Sequence, residues 1–151
     1  MSAIVEPATE TSTYGTAPPK TSVNKPILSC DFDGVIHSYT TGWHGADVVA
    51  DGPVDGAMRF LTDASDKFEI NIYSSRSGQP GGVAAMYDYI AEHLRRYWVD
   101  MPAVGDKVLS KLKFPTDKPS AMVMLDDRAV TFTGVFPEVD DLLDFKPWNK
   151  R

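Results

Sequence analysis

The stretch Ile27-Leu28-Ser29-Cys30-Asp31-Phe32-Asp33-Gly34-Val35-Ile36 carries an apolar run into two carboxylates, one residue apart, and then into a glycine. Side chains alternate across an extended strand, so Asp31 and Asp33 fall on one side while the chain stays extended. Gly34 then lets the backbone leave the strand in a conformation that a residue with a Cβ resists. Two carboxylates this close repel each other unless a cation or a shared proton relieves them. A solvated strand exit with turn-capping aspartates is the plain alternative for the pair taken alone.

Two more runs repeat the pattern. Phe68-Glu69-Ile70-Asn71-Ile72-Tyr73 ends in Ser74-Ser75-Arg76, and Ala121-Met122-Val123-Met124-Leu125 ends in Asp126-Asp127-Arg128, with Lys118-Pro119 just ahead. Between the first and second runs, Val54, Met58 and Leu61 stand at helical spacing. Between the second and third, Val83, Met86, Ile90, Leu94 and Tyr97 mark an amphipathic helix over Gly81 to Trp98. The alternation predicts an α/β fold, a three-layer Rossmann-like sandwich around a central, mainly parallel sheet. Ligands of such sheets bind at the carboxyl ends of the strands, where all three polar clusters lie. Val108 to Phe114 reads as an edge strand or connection, Thr131 to Val135 as a short strand, and Glu138 to Leu143 as a closing helix.

Bulk properties suit one small soluble domain of 151 residues, with 42% hydrophobic and 24% charged residues. Residues 1–25, rich in Ser, Thr and Pro, read as a disordered tail, and residues 26–151 as the folded domain. Cys30 is the single cysteine, so no internal disulfide can form, and a reducing, cytoplasmic setting is expected. No run reaches the roughly 20 apolar residues of a membrane span, and no signal peptide is evident. The net charge of −6 argues against broad nonspecific binding to nucleic acid or anionic lipid. No His/Cys spacing suggests zinc.

The order Asp-x-Asp-Gly, then Ser, then Lys, then Asp-Asp resembles the four motifs of the haloacid dehalogenase superfamily, over roughly residues 26 to 130. The resemblance implies a magnesium-dependent phosphomonoesterase working through an aspartyl-phosphate. Asp31 would be the nucleophile and Asp33 the general acid and base. Ser74 would hold a phosphoryl oxygen, and Lys118 would offset charge, with Lys111 and Lys113 as competing lysines. Mg²⁺ would be held by Asp31, the Asp33 carbonyl, Asp126 and Asp127. Ser75, Arg76 and His37 are expected to contact the substrate.

Neither Asp33 to Ser74 nor Ser74 to Lys118 leaves room for the separate cap domain that many relatives carry. By the resemblance, an open site of this kind serves substrates that close it themselves, such as a nucleotide or a nucleic-acid end. His37, Tyr39, Trp43 and His44 follow the first motif where the family places a flap. They are available to stack on a base, or simply to pack within a hairpin. Two other readings stay open: a phospho-accepting receiver domain, whose acidic pair comes first and lysine last, unlike the order here, and a noncatalytic binding module with the same fold. Oligomeric state is not readable from the sequence.

Overall fold

The computed structural model describes residues 24–151. The expected tail lies outside the described residues apart from its last two positions, and there the Lys25 ammonium donates to the Ser65 carbonyl at 3.0 Å. Three short strands, β1 (Ile27–Cys30), β2 (Glu69–Ile72) and β3 (Val123–Leu125), form one parallel sheet in the order β2-β1-β3. Cys30 pairs with Ile72 on one side and Leu125 on the other. Four α-helices accompany the sheet: α1 (Ala57–Ala64), α2 (Gly82–Tyr97), α3 (Pro102–Lys111) and α4 (Val139–Leu143), followed by a 3₁₀ turn at Trp148–Lys150. The architecture is mixed α/β.

Central β1 explains its own sequence. Leu28, Ser29 and Cys30 are buried in succession, so both faces of the strand are covered, as a near-continuous apolar run in a parallel sheet requires. On α2, buried Met86, Ile90 and Leu94 recur at every fourth position, and Arg95 and Arg96 sit in the last turn, where the helix dipole favours cations. Helices α1, α2 and α3 pack against one another. Their apolar faces join Phe32, Ile36, Ile70 and Ile72 in a single core. Fully burying an aliphatic side chain such as Leu61 or Ile90 contributes about 1.5–3 kcal/mol.

Two expectations need correcting. Residues 108–111 are helical rather than an edge strand. The apolar series there starts upstream and runs Val104, Val108, Leu112 at helical spacing, and Pro102 opens the helix at the position that tolerates its missing N–H. Only Lys113 behaves as strand, exchanging backbone hydrogen bonds with β2 at Ile70 and Ile72. Residues 131–135 form no strand. β-branched residues hold a strand only when a neighbour pairs with them, and none does among the described residues. The expected closing helix is α4, which buries none of its residues.

Between Asp33 and Ser74 the chain holds α1 and β2, and between Ser74 and Lys118 it holds α2 and α3. No helix among the described residues is long and apolar enough to cross a membrane.

Candidate functional site

From β1 the chain moves to β2 at one side and then returns to β3 at the other. That reversal opens a crevice between the carboxyl ends of β1 and β3, the place where open α/β sheets bind ligands. Asp31 and Asp126 flank it, each one residue beyond the paired Cys30 and Leu125. The Asp31 N–H donates to the Leu125 carbonyl at 2.9 Å, which ties the two strand exits together. Asp127 completes a triad in which Asp31, Asp126 and Asp127 each offer an oxygen and all three oxygens lie within 4.8 Å of one another.

Among the described residues the triad has one ion pair, and it is a long one. The Arg128 Nε stands 3.9 Å from Asp127 Oδ2, and the Arg128 N–H donates to Asp126 Oδ1 at 2.7 Å. The Asp127 side chain is 3% exposed, yet its Oδ1 has no hydrogen-bond partner. A buried carboxylate oxygen left unpaired is costly. Burial pushes the Asp31 carboxyl well above its usual range. The Phe32 N–H pulls it down, and the nearby Asp126 and Asp127 push it further up. Gly34 makes this crowding possible. It has φ +84°, and a Cβ there would lie 2.1 Å from Asp127 Oδ2.

Asp33, two residues on, is treated in the opposite way. Arg76 is fully buried and grips it with two parallel bonds, Nε to Oδ2 at 2.8 Å and Nη2 to Oδ1 at 3.0 Å. His37, also fully buried, bonds Oδ1 through Nδ1 at 2.7 Å. The Asp51 N–H donates to Nε2 of the same ring at 3.1 Å, so Nδ1 is the nitrogen that carries the proton toward Asp33. Burial alone would raise the Asp33 pKa; the hydrogen bonds from His37 and Arg76, with the Arg76 charge, outweigh it and hold the carboxyl below its ordinary value. The remaining Arg76 donor, Nη1, binds the carbonyls of Gly45, Ala46 and Val48 at 2.9–3.0 Å. The Trp43 ring covers the guanidinium at 4.9 Å. One side chain thus joins the exit of β1, the loop after β2 and the flap after the first motif. The loop of Arg76 is itself pressed onto the start of α2, because a Cβ on Gly82 would meet the Arg76 carbonyl oxygen at 1.9 Å.

The residues expected to form the site are therefore partly assembled. A cavity of about 300 Å³ is lined by Asp31, Ser74, Ser75, Lys118, Asp126 and Arg128, together with Ser29, Tyr73 and β3 residues. Lys118 is the lysine that reaches it. Lys111 pairs with Asp66 and Lys113 with Glu69 elsewhere on the surface. Ser74 is buried, and its Oγ accepts from the Arg76 N–H at 3.0 Å. The Asp33 carboxylate does not join the triad, since both its oxygens are taken. Arg76 and His37 are buried and committed to Asp33, and neither lines the cavity, so they support the site from behind. Two features escaped the sequence reading. Arg128 follows the acidic pair without a pattern to distinguish it. Trp148 donates to the Gly34 carbonyl at 2.8 Å across 114 residues of chain, a contact that no local signal marks.

No family model, curated protein or solved structure matches the chain.

Proposed function

We propose that the chain is a metal-dependent phosphomonoesterase of the haloacid dehalogenase type, with Asp31 as nucleophile. One observation carries the reading. Three carboxylates converge at the crevice between β1 and β3, one of them with a buried, unpartnered oxygen, beside a hollow that also holds Ser74 and Lys118. An all-oxygen donor set of this kind suits a hard divalent cation such as Mg²⁺, and Asp31, Asp126 and Asp127 are the residues that would hold it. When bound, the ion would offset the charge of the carboxylates and of the phosphate.

In this reading an Asp31 oxygen attacks phosphorus, the bond to the ester oxygen breaks, and an aspartyl-phosphate forms that water then cleaves. The Ser74 hydroxyl and the Lys118 ammonium hold the phosphoryl oxygens. Once protonated, Asp33 gives its proton to the leaving oxygen, and the resulting carboxylate takes one from the water that cleaves the intermediate. Because both its oxygens accept hydrogen bonds in the present conformation, one of those bonds has to yield when it acts. The three-layer sandwich belongs to the same reading and is supported by successive buried residues on β1 and β2, which need cover on both faces. The buried free thiol of Cys30 fits a reducing compartment such as the cytoplasm. A phosphorylated substrate, a nucleotide or a nucleic-acid end among the candidates, fits the open crevice.

The test is hydrolysis of an aryl phosphate by purified protein with Mg²⁺, with excess chelator, and with Asp31→Asn. Turnover that needs Mg²⁺ and Asp31 supports the reading. Turnover untouched by chelator or by Asp31→Asn removes it.

A further inference from the structure

A second hollow of about 240 Å³ adjoins the first and is lined by Asp31, Asp33, Tyr39, Ser75, Asp127 and Arg128. The two share Asp31, Ser75 and Arg128, so they meet at the proposed nucleophile. The larger one holds Ser74 and Lys118, the donors suited to a phosphoryl group. The smaller one adds Tyr39.

Tyr39 is the one non-glycine among the described residues with positive φ, at +60°. A bulky side chain adopts that conformation only when its surroundings impose it. Here they do. Its ring packs edge-on against His37, with centroids 5.9 Å apart at 79°. His37 is in turn fixed by Asp33 and Asp51, and the rest of the flap hangs on Arg76. The other flap rings are engaged elsewhere: Trp43 on the Arg76 guanidinium and His44 on the Thr41 hydroxyl. Tyr39 is the one aromatic side chain lining this hollow, and a ring already held in place loses little further freedom on binding.

We propose that the smaller hollow seats the non-phosphate part of the ester and that Tyr39 makes it selective for planar aromatic or heteroaromatic groups over saturated ones of equal size. The proposal rests on the phosphatase reading for the position of the phosphate, and Arg128 supplies a cation to the same hollow.

The experiment compares dissociation constants of phenylphosphonate and cyclohexylphosphonate, which have no ester bond to cleave, for the wild-type chain in Mg²⁺. Tyr39→Phe and Tyr39→Gly are measured alongside; glycine accepts the positive φ, so the flap is not strained by the change. The expected result is a preference for the aromatic ligand of about tenfold, the effect of a single stacking contact. Tyr39→Phe should keep the preference and Tyr39→Gly should lose it. Equal affinities in the wild type, binding of neither phosphonate, or a preference that survives in Tyr39→Gly would each overturn the proposal. Hydrolysis of phenyl phosphate, measured in parallel, separates the two readings. Activity without the preference removes the subsite alone, and the preference without activity removes the phosphatase alone.

Discussion

Asp31 and Asp33 leave the same strand two residues apart and meet opposite environments. Around Asp33 the fold supplies more than enough compensation: a buried guanidinium, an imidazole N–H and a lowered pKa. Around Asp31 it supplies two more carboxylates, burial and a raised pKa. The first arrangement is complete as it stands and holds the flap in place. The second is crowded as it stands, and in the proposed reading a bound cation would relieve it. A buried charge is tolerated when paired; a weakly compensated cluster thus stands beside a fully paired one.

That contrast can be broken by mutation, and the largest expected effect is on rate. Asp31→Asn should abolish turnover of any phosphomonoester, while Asp33→Asn should leave a residual rate lower by a factor on the order of 10² to 10⁴. Steady-state assays of both variants check this, and equal losses would erase the distinction between the two carboxylates. Next comes the support. Arg76→Ala leaves Asp33 and three flap carbonyls without their donors, so chemical denaturation should show a loss of about 3–5 kcal/mol. Arg76→Lys should recover only part of it, because an ammonium lacks the planar fork.

Mg²⁺ should stabilise the folded chain by about 2.7 kcal/mol at a hundredfold excess over its dissociation constant. A thermal melt with and without chelator reads this, and Asp127→Asn should blunt it. The smallest effect is on pH dependence. Asp33, with a lowered pKa, adds stability at neutral pH that is lost as pH falls through its folded value, below the ordinary 3.8. Asp31, with a raised pKa, does the reverse: in chelator, stability should decline as pH rises from about that ordinary value toward its folded one. Melting temperatures between pH 4.5 and 8.5 should therefore fall in chelator and flatten with Mg²⁺ or in Asp31→Asn. A rising curve in chelator would contradict the crowding of the triad.

Much of this was legible in the sequence because it is local. Asp31, Ser74 and Asp126 each follow an apolar run, and a parallel sheet brings the ends of such runs together. Helix α2 announced itself through Val83 to Leu94. What stayed hidden depends on long-range packing. Nothing near Arg76 in the chain shows that it points inward at Asp33, 43 residues earlier, rather than out toward a ligand. His37 likewise reads as a flap residue until its two partners are in place. The exposure of β3, where Val123, Met124 and Leu125 are 45%, 46% and 41% exposed, is equally invisible in a run that looks made for burial.

The hydrogen bond from Trp148 to the Gly34 carbonyl also equips the molecule with an optical probe. The chain has three tryptophans, and each occupies a different station: Trp43 on the Arg76 guanidinium, Trp98 donating to the Thr62 hydroxyl between α2 and α1, and Trp148 beside Asp126 and Asp127. Replacing two of them by phenylalanine leaves a single emitter, so intrinsic fluorescence can follow the flap, the helical layer or the acidic crevice one at a time, without any attached dye.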